Sequence, residues 1–165
     1  MSKIRMDELL RFIPKVKTLV HVGANEGQEV PIYLAAGIAH IHLVEPIPEI
    51  YDKLIKKFRN HAEITISQSL CLDTFGKTEF FTTTNNGLSS SIYSKHDSKM
   101  HKIEYNPGSI FVNTVTLDWI TALYDTIDLL VIDAQGSEDK VLRGAKETLK
   151  KTERVFTEVS ETPLY

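Results

Sequence analysis

Gly23 and Gly27 stand four residues apart in the stretch Thr18-Leu19-Val20-His21-Val22-Gly23-Ala24-Asn25-Glu26-Gly27-Gln28, directly after an apolar run. Glycine has no Cβ, so such a turn bares its amide groups and a ligand can lie close against them. Glu45, Asp73 and Asp133 each end or closely follow another apolar run. Glu45 comes 22 residues after Gly23 (45 − 23), the spacing at which a carboxylate can accept both ribose hydroxyls of a bound nucleoside. A dinucleotide fingerprint would need glycine at positions 25 and 28, where the chain has Asn25 and Gln28, and no Gly-Lys-Ser/Thr phosphate loop follows. The turn therefore suits a nucleoside without a pyrophosphate, and S-adenosylmethionine fits it better than NAD.

These residues need a scaffold that brings them to one rim. Met6, Leu9, Leu10 and Ile13 recur at helical spacing, giving an N-terminal helix within 1–16 that ends at Pro14. Thr18–Val22 reads as a buried parallel strand. Pro31 is tolerable only in a first helical turn, which starts a short helix near Val30 and ends it at Gly37. Ile41–Glu45 is a second strand. Pro46 and Pro48 open a helix on which Ile50, Leu54 and Phe58 stack, and Ile64–Leu70 alternates as a third strand. Residues 72–115 read as an insert: a turn at 73–77, strands at 78–84 and 109–115, and between them a polar loop that is either a lid or disordered. Thr116 caps a short helix carrying Trp119, Ile120 and Leu123, with Trp119 in the core. Ile127–Ile132 is the clearest buried strand. Ser137 then caps a helix with Val141, Leu142, Ala145 and Leu149 inward, and Arg154–Val159 is a last strand. Strands alternating with helices give an α/β fold, a mostly parallel twisted sheet with helices on both faces, its ligand site beyond the strand ends.

Composition narrows the classes. With 42% hydrophobic and 25% charged residues the chain is an ordinary globular one, and 165 residues suggest a single domain over 1–165. A net charge of −3 gives no general attraction to nucleic acid or anionic membrane. Cys71 is the only cysteine, so no internal disulfide forms and a reducing compartment, the cytoplasm, is expected. No signal-peptide core or membrane span stands out. Cys71 reads as a small buried residue and not a nucleophile. His40 and His42 share a strand face and are expected to meet solvent. His21 is expected to pack or bond locally, and no metal site is expected.

The chain also resembles the FkbM-type methyltransferases. The likeness rests on Val22-Gly23-Ala24-Asn25-Glu26-Gly27, Val44-Glu45-Pro46, Leu70-Cys71-Leu72-Asp73 with Gly76, Ser89-Ser90-Ser91 and Thr116-Leu117-Asp118. Ile132-Asp133-Ala134-Gln135-Gly136-Ser137-Glu138, Val141-Leu142-Arg143-Gly144-Ala145 and Glu158 complete it. It spans about residues 18 to 160 in a consistent order. The resemblance implies a Rossmann-like class I methyltransferase fold using S-adenosyl-L-methionine on a hydroxyl of a sugar, glycan or small natural product. It implies that the turn from Gly23 to Gly27 faces the methionine part, that Glu45 binds ribose, and that Asp73 with the Cys71–Leu72 backbone lies near adenine. Members usually continue past the fifth strand with a helix and an antiparallel strand pair. Here the chain stops at Tyr165, so an open fifth-strand edge, able to pair in a homodimer, is expected.

Methyl transfer to a hydroxyl gains from a base. Asp133, where the best strand opens onto the rim, is the candidate; in the competing reading it only contacts the cofactor or caps the next turn. Glu138 reads as a helix-start charge. The non-enzymatic alternative is a truncated Rossmann-like cofactor-binding or interaction module.

Overall fold

The computed structural model describes residues 5–13, 15–94 and 103–158. In chain order the elements are α1 (Met6–Phe12), β1 (Thr18–Val22), α2 (Val30–Ala35), β2 (His40–Val44), α3 (Pro48–Phe58), β3 (Ile64–Ser67), β4 (Leu70–Cys71), β5 (Gly76–Phe80), β6 (Ile110–Val115), α4 (Leu117–Ile120), β7 (Leu129–Ile132), α5 (Glu138–Arg143), α6 (Lys146–Lys150) and β8 (Val155–Thr157). Five strands form a wholly parallel sheet ordered β3-β2-β1-β7-β8. The order reverses at β1, which is the switch point of a doubly wound, Rossmann-like sheet.

Alternation along the strands divides the core. Leu19, Ile41, Leu43, Leu129 and Val131 face one layer with Tyr33, Leu54 and Phe58 of α2 and α3. Val20, Val22, Leu130 and Ile132 face the other with Leu117, Ile120, Val141 and Ala145. Pro48 opens α3, Ile50, Leu54 and Phe58 are buried at i, i+4, i+8, and Lys56 and Lys57 lie in its last turn.

The strand expected over Ile64–Leu70 is two strands in two sheets. β3 pairs with β2 from Ile64 to Ser67, and Leu70–Cys71 pairs parallel to β6 beside the antiparallel β5–β6 hairpin. This second sheet, ordered β4-β6-β5, is the expected insert. Residues 95–102 of the expected loop lie outside the described residues.

The helix expected after Ser137 is interrupted. The Gly144 carbonyl accepts from Asp118 N at 3.0 Å, and Thr148 N turns to Asp118 Oδ1 at 2.7 Å, so the Asp118 side chain replaces one helical bond and ties α4 to α6. The Ser137 hydroxyl does not cap; it donates to Ala134 O at 2.9 Å. Thr116 does cap α4, accepting from Trp119 N at 3.3 Å. Trp119 is not core: α4 is one turn with Leu117 and Ile120 inward, which leaves Trp119 59% and Leu123 97% exposed. His42 is not solvent-facing either. Its Nδ1 bonds Tyr124 Oη at 2.9 Å and its Nε2 bonds Ser67 Oγ at 2.8 Å, while His40 at the strand start is exposed.

Candidate active site

β1 ends in a turn wedged between the ends of its two neighbours. Gly23 N and Ala24 N both donate to Val44 O, at 2.9 and 3.1 Å, and Asp133 N donates to Val22 O at 3.0 Å. Gly23 has φ +83°, and a Cβ there would lie 1.9 Å from the Asp133 carbonyl oxygen. Only glycine satisfies both the left-handed backbone and this approach.

The turn opens on a cavity of about 480 Å³, within the roughly 300–1,000 Å³ usual for small-molecule sites. Val22, Gly23, Ala24, Asn25, Glu45, Pro46, Cys71 and Asp133 all line it. Glu45 is 3% exposed. Its Oε2 accepts from Asn25 N at 3.0 Å and its Oε1 from Ile47 N at 2.8 Å. Burial outweighs these two bonds and pushes its pKa up to about 7. Asn25, at φ +44°, donates from Nδ2 to Asn86 O at 2.9 Å and accepts at Oδ1 from Glu26 N and Gln28 Nε2.

The insert closes the cavity. Gly87, Leu88, Ser89 and Ser90 line it, along with Phe80. Gly87 lies flat on α3, since a Cβ there would meet Ile50 Cδ1 at 2.7 Å. Ser91, fully buried, donates from Oγ to Gln135 O at 2.7 Å. Opposite, Asp133 Oδ1 accepts from Gln135 Nε2 at 2.5 Å. Glu138 takes Ala134 N at 3.0 Å and Gly136 N at 3.0–3.2 Å, so this carboxylate holds the loop after β7 by its backbone.

His21 lines the cavity too, as do Gln28 and Glu29. Tyr33 Oη lies 3.0 Å from His21 Nδ1, the local bond expected for this histidine, and burial lowers its pKa to about 4. Tyr33 is fully buried, and this contact satisfies its hydroxyl away from solvent. Cys71 is buried and its thiol is pushed up to about 12, so it is no nucleophile at neutral pH.

Four sequence candidates lie outside the cavity wall. The Glu26 carboxylate pairs on the surface with Lys53 Nζ at 2.6 Å, which lowers its pKa. Gly27 is a packing glycine: a Cβ would meet Phe58 Cε2 at 2.8 Å and Leu54 Cδ2 at 3.0 Å. The break before β4 carries residues 72 and 73 away from the rim. Leu72 packs with Ile47, Leu70 and Val112, Asp73 is exposed, and their backbone backs onto Gly144, whose Cβ would stand 2.1 Å from Leu72 O. Glu45 and Asp133 thus share a rim and Asp73 does not. Glu158, one residue past β8, reaches the cavity. Glu29 and the Gly87–Leu88 pair carried no signal of their own, and Gln135 stood only within the stretch that resembles the family: Glu29 reaches the cavity at the start of α2, and Gly87 and Leu88 become visible only where the insert folds back. Among the described residues no group of three His, Cys, Asp or Glu side chains comes together to hold a metal, and no helix is long and apolar enough to cross a membrane.

A parallel sheet reversing at β1, with a glycine turn and a buried carboxylate over one cavity at that point, defines a Rossmann-like α/β fold. Residues 21–165 match the methyltransferase FkbM domain, and the chain belongs to that family. It is 30% identical over 160 residues to the 2-O-methyltransferase NoeI of Sinorhizobium fredii (strain NBRC 101917 / NGR234), covering 89% of this chain and 65% of that relative. A crystal structure of PH1948 from Pyrococcus horikoshii, a candidate RNA methyltransferase, superposes with a TM-score of 0.47 at 12% identity, covering 92% of this chain and 57% of the other.

Proposed function

We propose that this chain, as one domain over 1–165, binds S-adenosyl-L-methionine and methylates a hydroxyl on a sugar, glycan or small natural product. The observation that carries the reading is the buried Glu45 carboxylate, fixed beside the Gly23 turn and sharing its cavity with Asp133. Membership of the FkbM family supports methyl transfer, and the name of the Sinorhizobium relative favours oxygen as the acceptor atom.

The donor set suits the cofactor. Glu45 uses one lone pair of each oxygen on Asn25 N and Ile47 N and keeps others for two ribose hydroxyls. Ile47, Leu70 and Phe80 form an apolar wall suited to a purine, and His21, Gln28 and Glu29 a polar end suited to an amino-acid group. The bound cofactor supplies a methyl group already activated on sulfonium. The protein's part is then alignment and exclusion of water, which the insert segment Gly87–Ser90 provides over the cavity. Asp133 lines the same cavity and takes the acceptor's hydroxyl proton as general base, worth roughly 10²–10⁴-fold. A single buried thiol suits the cytoplasm.

Titration calorimetry with S-adenosylhomocysteine tests the binding half; absence of heat at millimolar ligand sinks it. Transfer of labelled methyl to a panel of glycans and small hydroxylated acceptors tests the other half. One observation favours the interaction-module reading: β8 is three residues long and, among the described residues, pairs only with β7. An obligate dimer by light scattering, binding S-adenosylhomocysteine without methylating any acceptor, would select that reading.

A further inference from the structure

Two hydrogen bonds run from the insert to the candidate base, one to the backbone of Gln135 and one from its side chain. The Ser91 hydroxyl, sealed from solvent, donates to the Gln135 carbonyl at 2.7 Å, and the Gln135 amide donates to Asp133 Oδ1. Gln135 has φ +47°, a left-handed backbone that side-chain-bearing residues rarely adopt. It is held from both flanks, because the Glu138 carboxylate accepts from Ala134 N and Gly136 N on either side of it. Strain of this kind persists only where the surroundings over-determine it. Here those surroundings come from two elements 44 positions apart in sequence, the insert and the loop after β7.

We infer that Gln135 is a positioning residue for Asp133, and that Ser91 sets Gln135, so seating the insert over the cavity also aims the carboxylate. The inference rests on the reading of Asp133 as the base. The amide takes one lone pair of Oδ1, fixes the plane of the carboxylate and favours its charged, proton-accepting form. An open insert would take the Ser91 bond from the Gln135 peptide and loosen this hold on the carboxylate. Closing the cavity and orienting the base are then one event, which suits a reaction that must exclude water.

The test needs no known acceptor. In the full chain labelled with ¹³C at the aspartate carboxyls, the Asp133 resonance is assigned by its loss in Asp133→Asn. In Gln135→Met, similar in size but without a donor, and in Ser91→Ala, that resonance should move and titrate at higher pH than in the wild type. In Ser91→Ala, S-adenosylhomocysteine affinity should stay within about threefold, since Ser91 is not part of the cavity lining. An Asp133 resonance unmoved in either variant overturns the inference. Should Ser91→Ala unfold the chain, Ser91→Cys, which keeps size and a weak donor, serves in its place. Where the panel yields an acceptor, Gln135→Met should lower kcat by tenfold or more, up to the roughly 10²–10⁴-fold a base contributes, and by more than it raises KM for the cofactor. Full activity of Asp133→Asn overturns the base reading itself, an outcome separate from the resonance shifts.

Discussion

Glu45 carries the sharpest residue-scale consequence. Its carboxyl, pushed up to about 7 by burial, is partly protonated at neutral pH, yet two ribose hydroxyls would donate to the charged form. Ligand binding should therefore release a proton, and S-adenosylhomocysteine affinity should rise from pH 6 to pH 8. Calorimetry in buffers of different ionisation enthalpy reads that proton directly, and Glu45→Gln should lose both the pH dependence and most of the affinity. Gly23→Ala faces a left-handed φ and a clash with the Asp133 carbonyl. It should cost at least about 2 kcal/mol in urea unfolding, more than Gly37→Ala, where φ +73° brings backbone strain but a Cβ would meet nothing within 4 Å.

At the scale of elements, α4 separates buried from exposed apolar side chains within one turn. Leu117 is fully buried, so Leu117→Ala should cost about 2–5 kcal/mol, while Leu123→Ala should stay within about 0.5 kcal/mol. The short helix expected to carry Trp119, Ile120 and Leu123 ends at Ile120, so Leu123 falls outside it and Trp119 points away from the core. The insert is the other element whose role depends on a few contacts. Gly87→Val would push Ile50 and Ile47 and lift the segment off α3. Amide exchange across residues 82–91 should accelerate by tenfold or more, with the main-sheet strands unaffected. The hairpin strands were readable from their β-branched and aromatic residues. Its docking was not, because that depends on Asn25 reaching Asn86 and Ser91 reaching Gln135.

At the scale of the molecule, three buried ionisable groups pull stability in opposite directions. His21 and His42 are lowered to about 4 by burial, so their contribution is present above 6.5 and lost as pH falls toward 4. Glu45 is raised to about 7, so its contribution is present below 4.5 and lost as pH rises through 7. Between about pH 4.5 and 6.5 the unfolded chain thus holds two more protons on histidine and one fewer on Glu45, a net of one. These groups make stability rise with pH across that window, and Glu45→Gln should steepen the slope in thermal melts.

The sequence by itself determined the parallel α/β sheet, the turn at Gly23 and the placing of Glu45 and Asp133 at strand ends. Strand periodicity, proline positions and a missing Cβ are local properties that act wherever the chain goes. Only the tertiary structure decided which acidic residues share the cavity. Asp73 left the rim because Leu70–Cys71 found its hydrogen-bond partner in β6, 40 residues or more away, instead of extending β3. For the same reason Gly27 serves packing on α3, His42 is sealed by Tyr124 and Ser67, and Gln135 meets Asp133 and Ser91. Contacts between segments distant in sequence are fixed by which polar groups must find partners when buried, and no local pattern records that choice.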